Sequence, residues 1–146
     1  MSASEMELGP VDIVVIGFGP DAPRTGESIP LFVDLVDRGI IRVLDVMIVE
    51  KGADGTIARL EISEVGGQVS AELDVFQGAS TGMLGDEDAS AAAEGMQSGE
   101  AAVLICFENA WAAPFVSSVH RNGGRVLAFE RVPAQDLLDV LEALEA

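Results

Sequence analysis

Apolar residues in this chain fall into short unbroken runs and helically spaced stripes, punctuated by glycine- and proline-rich turns. Val11–Phe18 (VDIVVIGF) is a continuous run rich in β-branched residues and predicts a strand apolar on both faces. A turn-rich loop, Gly19 to Gly26, follows. The next helix has Ser28 as its expected cap, Pro30 in its first turn, Phe32, Leu35 and Val36 on its inner face, and Gly39 as its stop. Ile40–Glu50 predicts a long second strand. Lys51–Gly55, with its Asp54-Gly55 pair, predicts a hairpin turn, and the alternating Thr56–Ile62 returns from it.

Residues 63–99 differ in kind, being rich in Gly, Ala and Ser. A short helix is expected near Val69–Phe76. Another begins near Asp86, with Glu87 and Asp88 in the first turn, where the helix dipole favours acid, and Ala89, Ala92, Ala93 and Met96 at helical spacing. Ala101–Glu108 (AAVLICFE) predicts a buried strand and Asn109–Asn122 a helix carrying Trp111, Phe115 and Val119 four apart, ended by Gly123-Gly124. Arg125–Val132 predicts the last strand. Pro133 opens a final helix with Leu137, Leu138, Leu141 and Leu144 on one face and Asp136, Asp139, Glu142 and Glu145 on another. That leucine stripe is expected to be buried, on its own sheet or on a neighbouring subunit, because so short a helix is marginal alone.

Strand–helix–Gly–strand occurs at residues 11–50 and again at 101–132. Two βαβ units of this size predict an α+β fold: a ferredoxin-like mixed sheet of about five strands from two interleaved units. The expected order is 125–132, 11–18, 101–108, 40–50, 56–62, with the hairpin strand and residues 63–99 inserted and a C-terminal helix appended. Residues 1–146 then make a single domain with a polar N-terminal arm over 1–9.

Charge narrows the partners. The 146 residues carry 25 acidic and 8 basic side chains, a net charge of −17. Lys51 and seven scattered arginines cannot track a phosphate backbone, and an anionic membrane surface would repel the chain, so neither nucleic acid nor membrane is an expected partner. No apolar run approaches the ~20 residues of a membrane span. The acidic N-terminus lacks the basic character of a secretion signal, and one cysteine suits a reducing compartment, which points to the cytoplasm.

No residue is assigned as catalytic, metal-binding or cofactor-binding. Gly17-Phe-Gly-Pro-Asp-Ala22 matches GxGxxA, but Pro20, Pro23 and Gly26 delay the helix whose N-terminus would hold a pyrophosphate. Asp86, Glu87, Asp88 and Glu94 lack the alternating ligand spacing of a calcium loop and read as a charged helix start. One Cys (Cys106) and one His (His120) cannot supply a zinc site. Cys106 lies in an apolar strand, and His120, near a helix C-terminus, reads as solvated. The candidate ligand-binding residues are Glu108, Asn109 and Trp111, at a strand-to-helix turn. Asn109 is expected to cap the helix and Trp111 to anchor it from the core. Glu108 could pair with Arg131, although a strand between them would separate their backbones by about 9.6 Å.

Gly9-Pro10-Val11-Asp12, Asp37-Arg38-Gly39, Leu84 to Asp88, Glu108-Asn109-Ala110-Trp111-Ala112 and Arg131-Val132-Pro133 together resemble an uncharacterised domain family of high-GC Gram-positive bacteria. That family is in turn similar to stress-associated proteins with a central Gly-rich hairpin, which this chain lacks. The resemblance implies no activity. The expected function is therefore that of a non-enzymatic, self-associating protein, because strands apolar on both faces demand cover on both. The alternative is a small-ligand sensor, with a pocket between the Gly19–Gly26 loop and the inserted helices.

Overall fold

A computed structural model describes residues 8–22, 27–65 and 67–146. Most of the expected N-terminal arm and the second half of the Gly19–Gly26 loop lie outside the described residues. Four strands form one sheet: β1 (Val11–Phe18), β2 (Arg42–Lys51), β3 (Ile57–Leu60) and β4 (Ala101–Glu108). Their order is β1-β4-β2-β3 and every neighbouring pair is antiparallel.

The helices are α1 (Ile29–Asp37), α2 (Ile62–Val65), α3 (Gly67–Leu73), α4 (Asp86–Glu94), α5 (Ala113–Arg121) and α6 (Ala134–Glu145), with 3-10 turns at Asp74–Phe76 and Ala110–Ala112. Pro30 lies in the first turn of α1. Gly39 ends that helix at φ 72°, its N–H donating to the Val36 carbonyl. Gly55, at φ 86°, turns the β2–β3 hairpin, where the Asp54 carboxylate accepts from the Thr56 hydroxyl at 2.6 Å. Asp88 accepts from the Gly85 N–H at 2.8 Å to start α4. At the other end of α4, the Lys51 ammonium donates to the Ala93 and Met96 carbonyls, 3.0 Å each, where the helix dipole favours a cation.

β4 is the centre of the molecule and is covered on both faces. On one face Val103 and Ile105 join Ile48, Val69, Leu73 and Phe76 under α1 and α3. On the other, Ala102, Leu104 and Cys106 join Met47, Val49, Leu84, Ala89 and Met96 under α4.

Four expectations need correction. The sheet is wholly antiparallel rather than mixed, because the crossover from β1 to β2 leaves a gap that β4 fills in the opposite direction. It has four strands, not five: residues 125–132 are irregular, and β1 remains an outer edge, so a complete ferredoxin-like sheet is not formed. The helix between residues 101–108 and 125–132, expected from the two interleaved units to cover the same sheet face as the helix after 11–18, does not share the α1 face; the inserted α3 does. The helix expected from Asn109 begins at Ala113. Pro114 has no N–H for the Ala110 carbonyl, so the preceding residues tighten into a 3-10 turn.

The C-terminal third departs furthest from expectation. Every residue from His120 to Ala146 is exposed. The leucine stripe of α6 is therefore not buried on its own sheet.

Candidate functional site

Glu108, Asn109 and Trp111 stand where β4 leaves the sheet, and the fold gathers three distant segments around them. Glu108 is buried; its carboxylate accepts from the Gly9 N–H at 2.8 Å and pairs with Arg42 at 2.9 Å. Asn109 is also buried and makes no helix cap. Its backbone N–H and its Nδ2 both donate to the Pro10 carbonyl, at 2.8 and 2.9 Å. Nδ2 also donates to Asp12 at 2.8 Å, and Oδ1 accepts from the Trp111 indole at 3.4 Å.

Gly9 is required here by close approach. A Cβ on it would lie 2.1 Å from the Asn109 carbonyl oxygen, well inside contact distance.

Trp111 is 56% exposed rather than a core anchor. Its backbone N–H donates to the Ile40 carbonyl, while its ring tilts against Phe129, with centroids 6.3 Å apart. A 3-10 turn does not continue the α5 repeat, which removes the basis for expecting Trp111, Phe115 and Val119 to form one buried face; Phe115 is exposed as well. Arg131 pairs with Asp12 at 2.7 Å, and Glu108 with Arg42, so the Glu108–Arg131 pair considered from the sequence is not formed.

The Asn109 amide beside Asp12 holds the Asp12 carboxyl below the ordinary aspartate value, with Arg131 adding to the effect against partial burial. Elsewhere, Cys106 is fully buried. Desolvation, helped by the charges of Asp45 and Asp88, pushes its thiol up, away from the reactive thiolate. Asp45, buried at the bulge in β2, accepts from the Val46 and Leu84 N–H groups. Among the described residues no buried side-chain nitrogen or oxygen lacks a hydrogen-bond partner, and no three His, Cys, Asp or Glu side chains stand together as a metal site would require.

The node is thus a clasp. It ties the entry to β1, the exit of β4 and the C-terminal segment together through polar groups that already have protein partners. Sequence reasoning found its centre and singled out Arg131, though as a partner of Glu108 rather than of Asp12; it missed Gly9, Asp12 and Arg42. One signal was legible: Asp12 is an acid inside an otherwise apolar strand. Three of the five segments that carried the family resemblance, around Gly9, Glu108 and Arg131, meet here.

No helix among the described residues is long and apolar enough to cross a membrane. Neither a curated protein nor a solved structure matches the chain. One family model does, over residues 7–146, and the chain accordingly belongs to DUF6325, a family of unknown function.

Proposed function

We propose that the chain is a non-enzymatic protein that works by self-association, with residues 113–146 of one copy docking on the β1 side of a second. A single observation carries this reading: the apolar residues of α6 and of the arm before it are exposed, and so is the β1 edge. Leu137, Leu138, Val140, Leu141 and Leu144 on α6, Val126, Leu127, Phe129 and Val132 on the arm, and Val11, Ile13, Val15 and Ile16 on β1 range from 38% to 80% exposed. With Trp111 and Phe115, and at roughly 60–120 Å² per aliphatic and ~150–250 Å² per aromatic side chain, this partial exposure totals on the order of 900 Å². A stable interface takes about 800 Å² from each partner.

Charge supports a second copy as the occupant. The stretch 121–132 holds three of the chain's eight basic residues, Arg121, Arg125 and Arg131, against one acid, Glu130, in a chain of net charge −17. The arm is therefore the part of the chain that the acidic body of another copy repels least. In the assembly, residues 125–132 extend the partner's sheet at β1, completing the five-stranded ferredoxin-like arrangement between chains. α6 then covers the face bearing Val11, Ile13 and Val15. An exchange of this kind closes by two-fold symmetry. A lone, buried cysteine agrees with a cytoplasmic setting.

Light scattering on the full chain tests the proposal. A mass of two chains is expected, and it should be more stable at high salt, where the self-repulsion of the acidic bodies is screened. The paired substitutions Leu138→Glu and Leu141→Glu should yield single chains with unchanged circular dichroism. A single-chain mass for the unaltered protein at all concentrations, or an unchanged mass for the doubly substituted one, overturns the reading.

A further inference from the structure

The clasp carries the register of the exchanged arm. Arg131 reaches Asp12, the second residue of β1, at 2.7 Å. An exchange remakes the contacts of a single chain on the neighbouring copy, so Arg131 meets the partner's Asp12. In an antiparallel ladder started from that pair, Phe129 falls opposite Val14, Leu127 opposite Ile16 and Arg125 opposite Phe18. Residues 125–132 then cover Val11–Phe18 from end to end. Directly opposite residues share a sheet face, so Leu127 and Phe129 join Val14, Ile16 and Phe18 on the α1 side. The other side, bearing Val11, Ile13 and Val15, is the one that α6 covers.

Only Asn122 to Gly124 separate α5 from the arm, so this register brings α5 to the Phe18 end of the partner's sheet, on the α1 side that α6 leaves open. Its own chain does not bury it: no residue of α5 is buried, and none joins either cluster that packs the sheet. Phe115 and Val119, four apart, share one face of the helix, and Phe115 is 61% exposed. An apolar groove of about 610 Å³ lies open at that same end of the sheet. Ile16, Phe18 and Val103 form its floor, between Leu31 and Phe32 of α1 and Leu73 of α3. The lengths agree. Nine helical residues span roughly 14 Å, about four residues of strand, which from Phe18 covers the part of β1 that lines the groove. The charges agree as well. Arg125 arrives opposite Phe18, at the end of the sheet that carries Asp21 and Glu100. We infer that the groove beside α1 is the seat of α5 from a second copy, with Phe115 and Val119 filling it. This rests on the self-association proposed above and adds a second sheet face to its interface.

The test uses the full chain, with Leu31→Cys copies co-expressed with Phe115→Cys copies and treated with a short bismaleimide. Both positions are exposed, so the substitutions leave the core intact, and Cys106 is fully buried, so the new thiols are the ones that react. A cross-linked two-chain band is expected from the mixture and not from either protein alone. Leu31→Cys co-expressed with Leu144→Cys, on α6, should give at least tenfold less of it. Leu31→Glu, outside the surface named for self-association, should weaken the two-chain state at least tenfold in sedimentation equilibrium while circular dichroism stays unchanged. A two-chain mass without the Leu31–Phe115 cross-link, an equal yield with Leu144→Cys, or an unweakened Leu31→Glu protein overturns this inference and leaves self-association standing. A single-chain mass for the unaltered protein overturns both.

Discussion

Arg131 and Asp12 stand 119 positions apart in the chain and 2.7 Å apart in space. The same Asp12 oxygen accepts from the Asn109 amide, so one carboxylate ties the C-terminal arm to the edge strand and to the end of β4. Arg131 is 74% exposed, and a bridge in such a setting contributes no more than ~1 kcal/mol. Its consequence is positional: it fixes where the arm leaves the body, next to the Trp111–Phe129 contact.

Because the folded-state value of Asp12 is depressed, its contribution is complete at neutral pH, above the unfolded value of about 3.9. It is lost as pH falls through the lower folded value. Trp111 is the sole tryptophan, so indole fluorescence reports on this node. An acid titration should show a step below about pH 3.9 that is absent in Asp12→Asn. A step of equal size in both proteins would separate the signal from Asp12.

Gly9→Ala places a methyl group against the Asn109 carbonyl, which belongs to the backbone and cannot swing aside. Overpacking of this kind costs ~1–3 kcal/mol, and the upper half of that range is expected in urea denaturation. A loss under about 0.5 kcal/mol would mean that Gly9 is not held against the end of β4.

Trp111→Ala removes an exposed ring. The expected loss of stability in the single chain is below about 1 kcal/mol, far less than the ~3–5 kcal/mol of a buried aromatic. Sedimentation equilibrium should show a weakened assembly instead, as for an interface aromatic. A large stability loss with unchanged association would place the ring in the core after all.

Lys51→Met keeps the aliphatic stem and removes the ammonium that serves the last carbonyls of α4. Hydrogen bonds to a charged group are worth ~1.5–3 kcal/mol, so a loss of about 2 kcal/mol is expected. Hydrogen exchange should show faster opening of α4 than of β4. Uniformly faster exchange in both elements would argue against a local cap.

Much of the fold was written in local pattern. The β-branched run at Val11–Phe18, the Asp54-Gly55 turn, Gly39 and the acidic start at Asp86 each specify an element through backbone sterics and the nearest hydrogen bonds. These are forces that act within a few residues. Even the order of the four strands agrees with the one expected from two interleaved strand–helix–strand units. Tertiary structure decided the rest. Residues 125–132 have the composition of a strand, but a strand exists only where a second backbone offers a ladder, and no periodicity records whether one is present. Trp111 has the spacing of a core residue, yet Pro114 breaks the helix that would have carried it inward. The clasp at Asp12 joins groups from opposite ends of the chain. Its geometry comes from the β1–β4 register, which is set by burying the sheet as a whole rather than by any segment alone.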